Sequence, residues 1–94
     1  MRGSAIQYIK VEWLHDHPDE PIVLFSELDE GRWEIRKVEV YADGTMDFAD
    51  EENSSGNTRL GSLPVPQLNE LTSEFRPQVI TAAEFERVWA MAKK

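Results

Sequence analysis

The sequence contains no cysteine. Disulfides, zinc–thiolate centres and thiol nucleophiles are thereby excluded, and a small domain that manages without a disulfide fits an intracellular setting. Hydrophobic runs are short, and none approaches the ~20 residues that span a bilayer. No charged-then-apolar stretch opens the chain as a signal peptide would. A cytoplasmic location is the expectation. Phosphate-cradling glycine motifs, a serine elbow and an H-E-x-x-H spacing are all missing. Basic residues are scarce: ten Lys and Arg stand against eighteen Asp and Glu, a net charge of −8. Such a surface repels nucleic acid and anionic lipid, because phosphate binding needs Lys and Arg to displace counterions.

What remains is 94 residues with three Trp, two Tyr and four Phe. That is too aromatic for a disordered tail and long enough for one hydrophobic core. Residues 1–4, Met1-Arg2-Gly3-Ser4, look like a vector-derived leader, which leaves a single domain over 5–93. The charge is segregated. Fourteen acids and three bases lie between Glu12 and Glu52, while the rest of the chain carries seven bases and four acids. An acidic half attracts basic partners and speeds their encounter, although acid on a small surface also simply keeps it soluble.

The first half reads as strands and the end as helix, the α+β signature. Ile9, Val11 and Trp13 alternate with Lys10 and Glu12, which predicts a half-buried strand over Ile6–Leu14. His15–Pro21 is a loop punctuated by two prolines. Pro21–Leu28 is a second strand with both faces partly covered. Asp29-Glu30-Gly31 makes a tight turn into a third strand, Arg32–Tyr41. The apolar parity changes within that strand, from Trp33 and Ile35 to Val38 and Val40, so a bulge is expected near Arg36-Lys37. Asp43-Gly44 is a hairpin turn leading to a fourth strand, Thr45–Ala49, with Met46 and Phe48 inward. Asp50–Thr58 is expected to be an exposed, mobile loop. Pro64 and Pro66 introduce a short helix carrying Leu68, Leu71 and Phe75, ended by Arg76-Pro77. A capping box, Thr81 with Glu84, starts a final helix whose inner face is Phe85, Val88, Trp89 and Ala92. The expected architecture is an antiparallel sheet of about four strands against a C-terminal helix, with a second short helix.

Two constellations have chemical interest. His15, Asp16 and His17 sit in a segment that also holds Asp19 and Glu20, a set of side chains able to ligate a divalent metal. No known ligand spacing is present, Pro18 favours a loop, and a plain surface loop is the competing reading. Glu27, Asp29, Glu30 and Glu34 flank the turn between the second and third strands. Carboxylate catalysis needs a pocket that a domain of this size has little room for. Cross-strand pairing with Arg32, Arg36 and Lys37 is the simpler account. Trp89 reads as core, whereas Trp13 and Trp33, each beside an acidic loop, are either core or interface anchors.

The segments W-L-H-D-H-P-D-E-P, S-E-L-D, R-W-E-I-R-K-V-E and Y-A-D-G, continued by L-G-S-L-P-V-P and A-A-E-F-E-R-V-W, resemble a small stand-alone bacterial domain of unknown function. The resemblance runs from about Tyr8 to Trp89. It implies a compact bacterial domain and supplies no catalytic residue. Small acidic proteins of this sort are similar to immunity proteins, which neutralise a toxin encoded beside them.

The function expected from these features is a non-enzymatic acidic protein-binding module without a cofactor. In its sharpest form it is an immunity-type protein that occludes a basic, nuclease-like toxin. The partner-binding candidates are Trp13, Asp16, Asp19, Glu20, Glu27, Asp29, Glu30, Trp33 and Glu34. A metal-binding or metal-dependent hydrolytic domain using the His15–His17 loop is the alternative. A structural or oligomerisation domain, monomer or homodimer, is the third reading.

Overall fold

A computed structural model describes residues 6–56, 58–61 and 64–94. The leader assigned to residues 1–4 lies outside the described residues. Among the described residues there are five strands: β1 (Gln7–Trp13), β2 (Val23–Leu28), β3 (Glu34–Val40), β4 (Met46–Ala49) and β5 (Phe75–Ile80). One α-helix, α1 (Ala82–Ala92), follows. The strands form a single antiparallel sheet in the order β4-β3-β2-β1-β5.

The first four strands and the C-terminal helix stand where the hydrophobic alternation and the capping box put them. The Thr81 hydroxyl accepts from the Glu84 N–H, and the Glu84 carboxylate accepts from the Thr81 N–H. The expected parity change in β3 is a real bulge. Leu28 pairs with Glu34 but Glu27 pairs with Arg36, so Ile35 is the extra residue, one position before the predicted site.

The segment after Pro66 departs from expectation. The second helix is reduced to one 3-10 turn, Leu68–Glu70, and Phe75–Ile80 is a fifth strand along β1. Helical spacing of three apolar residues was a weak signal, because Phe75 and Val79 serve a strand equally well. Pro77 belongs to that strand for a specific reason. Leu14 N–H donates to the Glu74 carbonyl, which sets the phase of the β1–β5 ladder. Arg76, Gln78 and Ile80 then turn their backbone groups toward β1, while Phe75, Pro77 and Val79 turn theirs outward. A proline whose nitrogen faces outward removes no ladder bond.

The sheet has two unlike faces. On one, α1 crosses the strands from β1 to β4. Phe85 packs on Tyr8, Glu86 meets Arg36, and Trp89 packs edge-on against Phe48. Phe85 and Val38 are fully buried there. On the other face Ile9, Val11 and Leu28 are covered by Val65, Leu71 and Phe75. The linking segment between β4 and β5 therefore acts as the second layer that a two-faced apolar sheet requires.

Candidate functional site

Strand direction decides which candidate residues meet. The loop of residues 14–22 and the hairpin of residues 41–45 lie at one end of the sheet. The turn of residues 29–33 and residues 50–56 lie at the other. Asp16, Asp19 and Glu20 are thus grouped with Asp43, a strand length, roughly 20 Å, from Asp29 and Glu30. The acidic stretch that looks continuous in sequence is two patches.

At the first end Trp13 is half-buried. Its ring stacks on Phe75 at 5.8 Å and its indole N–H donates to Glu74 at 3.3 Å. His15 meets the Trp13 ring edge-on at 4.4 Å and stacks on His17. Both nitrogens of His15 are engaged: Nδ1 accepts from the His17 N–H at 2.9 Å, and Nε2 donates to the Pro21 carbonyl at 2.8 Å. That pattern specifies the neutral Nε2–H tautomer. Among the described residues no group of three His, Asp or Glu is arranged to hold a metal ion. Asp16, Asp19 and Glu20 are exposed. Asp43 caps its own turn, and bonds from the Thr45 N–H and hydroxyl hold its carboxyl below the usual carboxylate range.

The second end is more rigidly built. One oxygen of Asp29 accepts from the N–H groups of Gly31 and Trp33, at 2.9 and 3.0 Å. Arg32 takes the left-handed conformation, φ 66°, that a residue with a Cβ rarely adopts. Its guanidinium explains why it is held there. Nε and Nη2 donate to the carbonyls of Val65 and Pro66, both at 2.8 Å, and Nη1 donates to Gln7 Oε1 at 2.6 Å. The Arg32 carbonyl in turn accepts from the Val65 N–H. The result is a turn fastened to the linking segment, with Trp33 presented 44% exposed. Glu30 is exposed beside it. Asp50, Glu51 and Glu52 line a hollow with Ile35 and Arg36 at the same end. N–H groups of Asn53 and Glu52 hold the Asp50 carboxyl below its usual value.

Glu27 and Glu34 are turned into the molecule instead. Glu27 lies under α1 and accepts from Arg36 Nε at 2.6 Å. Burial and the hydrogen bond to Glu27 push the Tyr8 phenol up. Glu34 is on the opposite face, close to Lys37 and accepting from Ser26 and the Gly61 N–H. The loop after β4 is exposed from Glu51 to Ser54, but Ser55 is tied to both backbone groups of Phe48, and Thr58 is buried against Glu39. Asn57 lies outside the described residues.

The sequence reading missed Arg32 as a backbone anchor and Asp50–Glu52 as lying at the same end of the sheet as the Trp33 turn. The second relation was within reach, since a β3–β4 hairpin returns the chain to the end where β3 began. The first was not, because it depends on contacts across more than thirty residues.

A family model described as a domain of unknown function, DUF6881, matches residues 7–94. The chain belongs to the DUF6881 family. No curated protein matches it significantly, and no solved structure does. The DUF6881 match agrees with the resemblance seen in the motifs and carries no assigned chemistry. Among the described residues no helix is long and apolar enough to cross a membrane.

Proposed function

We propose that this DUF6881 protein is an acidic protein-binding module, and specifically an immunity-type protein that occludes the active site of a basic, nuclease-like toxin in the bacterial cytoplasm. The observation that carries the reading is the Trp33 turn: a 44% exposed tryptophan on a backbone fixed by Arg32, at the end of the sheet that also holds Glu30 and Asp50–Glu52. An exposed aromatic anchor on a fastened turn, with acidic residues at the same end of the sheet, suits a partner rich in Lys and Arg. Exposure of Asp16, Asp19 and Glu20 at the other end supplies a field that steers such a partner.

The test is capture from the native lysate at low and high salt, read by mass spectrometry. Trp33→Ala and the charge reversal of Glu30, Glu51 and Glu52 are run beside the wild type. A basic protein retained by the wild type and bound about tenfold more weakly by either variant supports the module. Toxicity of that protein alone, relieved by co-expression, supports immunity. Retention that neither variant alters, or no specific retention, defeats the reading.

A further inference from the structure

The sheet face opposite α1 holds a recess of about 150 Å³. Its floor is Ile9, Val11 and Leu24, and its roof is Val65, Leu71 and Phe75. A space of that size lined by aliphatic and aromatic side chains accepts a single six-membered ring. One part of the wall is polar: Ser26, 5% exposed, and the Glu34 carboxylate, 11% exposed.

The hydrogen bonds there leave acceptors facing the recess. Ser26 Oγ–H donates to Glu34 Oε2 over a long 3.4 Å, while Glu34 Oε1 accepts from the Gly61 N–H at 2.6 Å. The serine proton is thus directed at the carboxylate, and what remains is the lone pairs of Ser26 Oγ and the spare capacity of Glu34 Oε2. Lys37 Nζ, 3.8 Å from Glu34, already supplies the counter-charge. A cationic ligand gains little there. A neutral one with a single N–H or O–H gives the carboxylate a better partner than the stretched serine bond. We infer that the recess binds a small neutral six-membered-ring compound carrying one hydrogen-bond donor, of the phenol class. This function is independent of the protein-binding surface, which lies at the ends of the sheet.

Methyl spectra of Ile9, Val11, Leu24, Val65 and Leu71 during titration with phenol, and separately with benzene, test this. Saturable shifts confined to these methyls are expected, with phenol bound about fivefold more tightly than benzene, the ratio one hydrogen bond gives. Glu34→Gln should bring phenol down toward the benzene affinity, Ser26→Ala, which removes the competing donor, should leave phenol bound at least as tightly as in the wild type, and neither should alter benzene. Val65→Phe, which fills the recess, should abolish both. Absence of saturable shifts, or equal affinity for the two compounds, overturns the proposal. Where Glu34→Gln loses its folded spectrum, Ser26→Ala decides: a phenol affinity reduced to that of benzene overturns it.

Discussion

Arg36 and Glu27 form an ion pair at 2.6 Å between neighbouring strands, roofed by α1. The same guanidinium bonds both oxygens of Glu86 and lies about 5 Å from the rings of Phe85 and Trp89. One arginine thus joins β2, β3 and the helix. Its two carboxylate partners keep it protonated more firmly than an ordinary arginine.

Replacing Arg36 by Met leaves Glu27 buried without its cation. The expected loss is about 3 kcal/mol in urea unfolding, and the double variant with Glu27→Gln should recover a large part of it. Arg36→Lys should also destabilise, because a lysine cannot serve Glu27 and both oxygens of Glu86 while stacking on two rings. A single variant no worse than the double would remove the pair from the account of stability.

The Glu86 side chain is 54% exposed, so its share is small. Its carboxyl is held below 4.5 chiefly by the hydrogen bond from Arg36. A folded-state value depressed in this way stabilises the protein above 4.5, and the effect disappears as pH falls through the folded value. Glu86→Gln should therefore be less stable than wild type by about 0.5 kcal/mol at neutral pH, with the gap closing on acidification. A gap that does not change with pH would contradict the assignment.

Arg32 sets backbone strain against side-chain anchorage. Arg32→Ala keeps the left-handed residue and loses the bonds to Gln7, Val65 and Pro66. Arg32→Gly loses the same bonds but relieves the strain. Both should unfold more easily than wild type, the glycine variant by about 1 kcal/mol less than the alanine variant. Thermal melts of the three proteins measure this, and the reverse order for glycine and alanine would exclude strain at this position. Trp33 fluorescence should broaden in both variants, since the turn is no longer fastened to the linking segment.

The parts legible in sequence are those set by local periodicity. Ile9 and Val11 announce β1, Asp43-Gly44 the hairpin, and Thr81 with Glu84 the helix start. The parts that were not legible depend on distant partners. Phe75 has neighbours on β1 that turn an apparent helix into a strand, and Ile35 takes the bulge because Glu34 pairs with Leu28. The candidate site divides in the same way. Asp16, Asp19 and Glu20 lie on an exposed loop as their composition suggests, yet Glu27 and Glu34, equally acidic in sequence, point to opposite interior faces. Register separates them: Glu27 pairs with Arg36 under α1, and the extra residue Ile35 turns Glu34, two positions before Arg36, to the other side of the sheet.

Both edges of that sheet are blunted, which bears on self-association. At β4 the outward backbone groups of Phe48 bond Ser55, so the edge is capped by the chain's own loop. At β5 the protection is Pro77, which occupies the middle of three outward-facing positions and offers no N–H. Val79, 59% exposed on the same strand, would otherwise make this edge adhesive. Pro77→Val restores the donor and adds β propensity without touching a bond to β1. Its expected consequence is a higher average mass than wild type at equal concentration in light scattering, reversed by a lysine at Val79. If Pro77→Val and wild type scatter alike, the proline is there for its backbone angle alone, and edge pairing is prevented by the charge of the molecule as a whole.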